Sequence, residues 1–161
     1  MMPSPIQSQL EPSSPALYLQ RLCNRQWRVF LTSFAHELFR NAQKDEACAF
    51  LHEIGCSMAE LMILRQAQGL SELQSLMNAA LDQIDWGLVT LEDAGQAILI
   101  THVAAPAIMA EDSNGLWAKC IGFVLEGLYT RWFVLQGSAS HVRTSLVSAS
   151  GSGEFQFRHG R

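Results

Sequence analysis

Features that mark nucleic-acid-binding and membrane proteins are scarce in this sequence. The 11 lysine and arginine residues are scattered along the 161-residue chain and the net charge is -4, so the sequence offers no basic patch for nucleic acid or anionic lipid. The most apolar run is interrupted by Lys119, Glu126 and Arg131, which leaves no uncharged stretch of the roughly 18 residues that a transmembrane helix needs. We therefore predict a protein that binds no nucleic acid and does not span a membrane.

A secretion signal and paired cysteines are also lacking. The first 15 residues contain neither a basic segment nor an apolar one, so they do not resemble a signal peptide. Cys23, Cys48, Cys56 and Cys120 form no CxxC pair, and each falls within a predicted helix, which is typical of reduced cysteines in a core. These observations favour a cytoplasmic protein.

No motif of a known active site is present. The sequence has no GxSxG, no GxGxxG and no phosphate-binding glycine loop. The acidic pairs at 92–93 and 111–112 fall in predicted loops that do not position them across a substrate. Cys48, His52 and Cys56 share one helix face, but at about 1.5 Å per residue the two cysteines are about 12 Å apart, too far for one zinc ion. We predict no catalytic residue, no metal site and no cofactor.

One long central helix is predicted over residues 115–136, with Ser113 or Asn114 at its start and Gly137 at its end. Its apolar residues recur at three- and four-residue steps and also extend onto its other sides. The main stripe contains Trp117, Cys120, Ile121, Val124, Leu128, Trp132 and Leu135. A helix that is apolar on nearly every side has to be covered on nearly every side, by other elements or by other subunits.

The chain before this helix begins with a tail. Residues 1–14 hold three of the five prolines together with several Ser and Gln, which predicts a flexible, extended segment. Residues 15–161 are predicted to form a single domain, since this length supports one ordinary core. Ser14 and Pro15 are typical of a helix start, and the first helix is predicted to run to about Asn41.

Two more helices follow the first. Asp45 is predicted to cap the second helix and Ser71 the third, which ends near Ile84. Gly55 lies inside the second helix, where glycine costs roughly 1 kcal/mol relative to alanine. We interpret it as the mark of a close helix crossing.

Two predicted β-hairpins complete the chain. The first joins strands at 88–91 and 97–104 through a turn at 92–95, and the second joins strands at 141–148 and 154–158. Helices followed by hairpins on either side of the central helix predict an α+β fold with a four-stranded antiparallel sheet. The strand at 97–104 is apolar on both faces, which one layer of helices does not cover and which indicates burial between subunits.

Two segments resemble the family formed by the D subunits of bacterial cellulose synthase. Residues 73–92 contain I-D-W-G-L-V-T-L, residues 124–132 read V-L-E-G-L-Y-T-R-W, and residues 55–59 are similar more weakly. The resemblance implies a non-catalytic accessory protein of crystalline cellulose secretion, which forms dimers and then a ring-like octamer with inner passages proposed to accommodate glucan chains. It also implies a cytosolic scaffold whose partners are other synthase subunits and a proline-rich accessory protein, with the periplasmic face of the secretion complex as the alternative location.

Six residues in these segments are candidates for the oligomer interface or the glucan passage: Trp86, Glu126, Leu128, Tyr129, Arg131 and Trp132. Burying a large apolar side chain contributes about 1.5 to 3 kcal/mol, so Leu128 and Trp132 would stabilise an obligate interface. Glu126 and Arg131 are predicted to be the charged groups that pair there out of water. Trp86, at a helix-to-strand junction, suits either an interface or stacking on a sugar ring.

A small-ligand-binding regulatory domain of the vinyl-reductase type is the alternative interpretation. Helices followed by a Trp-Gly turn, a hairpin, another helix and a terminal hairpin bounded by glycines are similar to that class of sensor domain. An apolar pocket lined by Cys120 and Leu128 would favour it. A hydrolase acting on glucan is the third possibility, and the sequence contains no catalytic constellation for it.

Overall fold

The computed structural model describes residues 23–161, so the tail at 1–14 and the helix start at Ser14 and Pro15 lie outside the described residues. The helices are α1 (Arg25–Asn41), α2 (Lys44–Leu61), α3 (Leu70–Asp82) and α4 (Leu116–Leu135). The strands are β1 (Leu88–Asp93), β2 (Ala97–Val103), β3 (Arg143–Ala149) and β4 (Phe155–Gly160). The α+β class is confirmed, and the predicted strand bounds differ from the observed ones by at most two residues.

The first helix is shorter than predicted. Cys23 and Asn24 are not helical, and α1 begins at Arg25 and ends at Asn41. Asn24 occupies the cap position with an extended backbone, and its side chain makes no capping hydrogen bond. A helix running unbroken from Pro15 to Asn41 is therefore wrong, although its end is where the sequence indicates.

The second and third helices begin two residues earlier than predicted. Gln43 caps α2, and its main-chain N–H donates to Oε2 of Glu46 at 3.1 Å, which completes a capping box. Asp45 therefore lies in the first turn, where a carboxylate still interacts favourably with the helix dipole. Ser71 likewise lies inside the first turn of α3.

The start of α4 is set by an acid that the sequence prediction overlooked. The two carboxylate oxygens of Asp112 accept the main-chain N–H groups of Leu116 and Trp117, each at 2.9 Å. Ser113 and Asn114, the predicted caps, instead belong to the turn between Asp112 and the helix. A charged carboxylate with two acceptor oxygens satisfies more of the free N–H groups at a helix start than one hydroxyl does.

The long helix α4 is the central element, and the chain's own elements cover it. It packs against α2 and α1 and against strands β3 and β4. Among its large apolar side chains only Val134 and Leu135, at its last turn, are exposed. A second subunit is therefore not required to cover this helix. No helix within residues 23–161 combines the length and apolar character that crossing a bilayer requires.

The crossing of α2 and α4 depends on two glycines. A Cβ atom on Gly55 would lie 1.9 Å from the main-chain oxygen of Val124, and one on Gly127 would lie 1.9 Å from that of His52. Neither distance is sterically possible, so each helix provides a glycine where the other backbone approaches. The close crossing predicted from Gly55 is confirmed, and Gly127 is its counterpart.

The four strands form one antiparallel sheet in the order β1-β2-β4-β3. The two hairpins join through β2 and β4, and one row across the sheet pairs Leu91 with Ile100 and Ile100 with Phe157. All three side chains are buried, because this face packs against α4 and α3. No described helix or strand covers the opposite face, which we call the open face.

Candidate functional site

The open face carries exposed apolar side chains next to charged ones. Leu88 and Val103 are register partners on β1 and β2, and their exposed fractions are 55% and 38%; Leu99, two positions from Thr101 and on the same face, is 40% exposed. Glu92 lies opposite Leu99 on one side, and Arg158 lies opposite it on the other. Partly exposed apolar side chains grouped on a sheet face are typical of a contact surface.

A second apolar surface lies on α1. Trp27, Val29 and Phe30 are 51%, 66% and 59% exposed, and we call them the α1 surface. The Trp27 and Phe30 rings meet edge to face, with centroids 6.0 Å apart. Ala35 is the one fully buried residue of the helix. Since α1 packs on α4 and α2 while the open face is turned away from α4, the two apolar surfaces are separate.

Three of the six predicted site residues lie in the core of the chain itself. Leu128, Tyr129 and Trp132 have no exposed surface. Trp132 is further held by a hydrogen bond from its Nε1 to the main-chain oxygen of Met62 at 3.0 Å. The three side chains are therefore part of the core of a single chain, and an interface between chains has to use other residues, which are exposed.

Glu126 and Arg131 find partners inside the chain, and not with each other. Oε2 of Glu126 accepts the main-chain N–H of Leu146 at 2.6 Å, beside the irregular register of β3 and β4. Nη2 of Arg131 lies 2.8 Å from Oε1 of Glu60, and both side chains are more than one-third exposed. The expected pairing groups therefore tie α4 to β3 and to α2.

Trp86 stands beside a buried hydrogen-bonded network. Its main-chain oxygen accepts from Nε2 of His102 at 2.7 Å, and Nδ1 of the same histidine lies 2.5 Å from the hydroxyl of Tyr129. A carbonyl only accepts, so Nε2 carries the proton and the hydroxyl donates to Nδ1. Gly87 permits this approach, since a Cβ there would lie 2.1 Å from the main-chain oxygen of Val103.

This network is neutral and closed to solvent. Burial lowers the pKa of His102 from 6.5 to about 4, although its hydrogen bond with the Trp86 carbonyl opposes that change. Burial also raises the pKa of Tyr129 well above 10. Because His102 has no exposed surface, it holds β2 against α4 and reaches no substrate. Sequence reasoning missed it, and the available signal was a histidine within an otherwise apolar strand.

The sequence placed Cys48, His52 and Cys56 on one face of α2, but the residues that the structure brings together there are different. Nδ1 of His52 lies 3.7 Å from Sγ of Cys56 and 3.8 Å from Oε1 of Glu53, so Glu53 takes the place considered for Cys48. Burial raises the pKa of the Cys56 thiol, and this thiol donates to the main-chain oxygen of Gly127 at 3.5 Å. A metal ion would have to displace that proton, and the absence of a metal site stays a prediction.

The alternative interpretation, a ligand-binding sensor domain, would be favoured by an apolar pocket lined by Cys120 and Leu128. Cys120 and Leu128 are fully buried members of the packed core. A groove of about 820 Å³ lies at the C-terminal end of α4, and neither residue lines it.

Comparison with known proteins identifies similar chains. A protein-family model that describes the D subunit of cellulose synthase matches residues 14–160. Two proteins of Komagataeibacter xylinus named cellulose synthase operon protein D are 32% and 33% identical over 114 residues, which cover 69% of this chain and 71% of theirs. A protein of the same name from Komagataeibacter sucrofermentans is 32% identical over the same shares.

Proposed function

The chain belongs to the family of cellulose synthase D subunits, and from that premise we propose that it is a non-catalytic scaffold subunit in bacterial cellulose synthesis. In this proposal copies of the chain associate into dimers and then into a ring-like octamer that organises synthase complexes and promotes crystalline cellulose. The observation that carries it is the presence of two separate exposed apolar surfaces, the open face and the α1 surface.

Two surfaces are what a ring of dimers requires. A two-fold dimer uses one self-complementary patch, and joining dimers into a closed ring uses a second, different patch. Leu88, Leu99 and Val103 provide an apolar group on one side of the molecule, and Trp27 and Phe30 provide one on the other. Complete burial of each such side chain contributes about 1.5 to 3 kcal/mol, so each patch supports a stable contact once it is repeated by symmetry.

Partners beyond the chain itself follow from the family. We propose other cellulose synthase subunits and a proline-rich accessory protein as docking partners, and glucan chains as a ligand of passages between subunits. The half-buried Trp86 remains the aromatic candidate for such a passage. The proposal assigns the protein to the cytoplasmic side and treats residues 15–161 as one domain, which the family match over residues 14–160 supports.

Light scattering coupled to size exclusion tests the assembly. The purified chain is expected to elute with the mass of eight 17.9-kDa chains. The double variant L88S/V103S and the variant F30S each remove one patch, so each is expected to give a smaller, defined species. Ile63 is 81% exposed and belongs to neither patch. The control variant I63S should therefore form an assembly of the same mass as the unsubstituted chain.

A monomer at micromolar concentration would contradict the scaffold proposal. So would a loss of assembly in I63S equal to that in the patch variants. In cells, deletion of the gene is expected to lower cellulose crystallinity measured by X-ray diffraction while synthase activity in membranes is retained. Complementation with the assembly-deficient variants should fail to restore crystallinity, whereas unchanged fibres after deletion would refute the role.

A further inference from the structure

An open groove lies at one end of the sheet. The turn between β1 and β2, the segment after α4 and the last residues of β4 enclose about 820 Å³. Polar side chains contribute to its wall, including Gln96, Ser138 and His141. A smaller depression of about 540 Å³ adjoins it, and Arg158 and Arg161 line both. The groove is separate from the apolar part of the open face.

Pairing of β3 with β4 brings arginines together at the edge of this groove. Arg143 is the register partner of Gly160, and Arg158 precedes that glycine by two positions, so both side chains project from the open face. A Cβ atom on Gly160 would lie 2.9 Å from Nη1 of Arg158 and 2.7 Å from the Cβ of Ala97. Glycine at this position therefore leaves the space that the Arg158 guanidinium occupies beside Arg143.

Within residues 23–161 no aspartate or glutamate side chain pairs with Arg143, Arg158 or Arg161. Arg40, Arg65 and Arg131 form ion pairs with glutamates. Nη1 of Arg158 instead donates to the terminal oxygen of Arg161 at 2.6 Å, which offsets part of the positive charge of the cluster. Asp93, the acid that lines the groove, has its Oδ1 engaged by the N–H of Gly95 at 2.8 Å.

Arg143 and Arg158 occupy diagonal positions on β3 and β4, within reach of each other's long side chains. A cluster of positive charges in a chain of net charge -4 favours binding of an anion. A guanidinium presents a planar fork of N–H donors that matches phosphate oxygens two at a time. Three such groups suit more than one phosphate. They are too few for a lipid surface, which is recognised by clusters of about four to eight basic residues.

We propose that Arg143, Arg158 and Arg161 bind the phosphate groups of a small phosphorylated ligand, and that the rest of this ligand lies in the adjoining groove. A volume of about 820 Å³ falls in the range of about 300 to 1,000 Å³ that is usual for sites of small molecules and cofactors, which corresponds to a ligand of nucleotide size. The apolar side chains of the two patches do not line this groove, although Arg158 lies beside Leu99 on the open face.

Isothermal titration calorimetry of the full chain with inorganic pyrophosphate and with ADP tests this site. One saturable site per chain is expected for each, and ADP should bind more tightly because the groove contacts its nucleoside. The variants R143Q and R158Q should weaken both ligands at least tenfold. R40Q removes the same charge from an exposed, distant arginine and should leave binding unchanged.

Several outcomes would overturn the proposal. These are the absence of saturable binding of both ligands, equal weakening by R40Q, or citrate binding as tightly as pyrophosphate, which would mark a general anion patch. Because Arg143 is exposed, R143Q is expected to fold, and circular dichroism checks this. The variant R158K keeps the charge and loses the fork, so it should bind more weakly than the unsubstituted chain if phosphate is held bidentately.

Discussion

Acidification is expected to destabilise the protein in part through His102, and replacing this residue by glutamine should remove that part of the effect. In the folded chain Nε2–H of His102 donates to the carbonyl of Trp86, and Nδ1 accepts from the Tyr129 hydroxyl. Protonation would place a second N–H against that hydroxyl, whose own proton would then lose its acceptor. The positive charge would also be buried without an acidic partner, which is costly.

The magnitude follows from proton linkage. Burial lowers the pKa of His102 to about 4, compared with 6.5 in the absence of the fold. Between these values the unfolded chain binds a proton that the folded chain does not, so the free energy of unfolding falls as the pH falls from 6.5 towards 4. At about 1.4 kcal/mol for each pH unit, this interval corresponds to about 3 kcal/mol, a large part of the stability of a small domain.

Urea denaturation at pH 7.5 and pH 4 measures the effect, at one protein concentration because self-association also stabilises the fold. The unsubstituted chain should lose about 3 kcal/mol more than His102→Gln between the two pH values. At pH 7.5 the variant itself should be less stable by about 1 to 3 kcal/mol, because glutamine does not reproduce both hydrogen bonds.

A second histidine provides the control for this experiment. Burial also lowers the pKa of His159, so its contribution has the same sign, and His159→Gln should leave the contribution of His102 in place. An equal pH dependence in the unsubstituted chain and in His102→Gln would refute the reasoning, since the titrating group would then lie elsewhere.

Two further predictions concern the packing of α4. Gly127→Ala should lower the melting temperature strongly or prevent folding, because its Cβ would meet the backbone of α2 at 1.9 Å, whereas Gly69→Ala, with nothing within 4 Å, should have little effect. Glu126→Ala should destabilise by about 1 to 3 kcal/mol in urea denaturation, because a main-chain N–H of β3 loses its acceptor. Glu60→Ala should cost less than about 1 kcal/mol, since it removes a partly exposed ion pair; equal losses for the two glutamates would contradict this difference.

Local rules explain which parts of the fold could be predicted. Apolar spacing identified α4 and the four strands because helical and extended backbones repeat with fixed periods. The helix starts were less predictable, because several nearby polar side chains compete for the free N–H groups. At α4 the carboxylate of Asp112 outcompetes Ser113 and Asn114, and no spacing rule distinguishes the three.

The roles of individual site residues were less accessible. The sequence indicated that Glu126 and Arg131 need partners, but Leu146 and Glu60 lie 20 and 71 residues away from them along the chain. Which distant group meets a given side chain depends on how helices and strands dock, and the periodicity of a single segment contains no information on docking.

The sequence by itself determined the α+β class, the central apolar helix, the family and an excess of apolar side chains, because each follows from composition or from short-range pattern. Only the tertiary structure decided where that excess lies: the chain covers Leu128 and Trp132 and leaves Leu88 and Phe30 exposed. It also decided that arginines scattered in the sequence meet at one edge of the sheet. Both outcomes depend on strand register and helix docking, which contacts between distant residues fix.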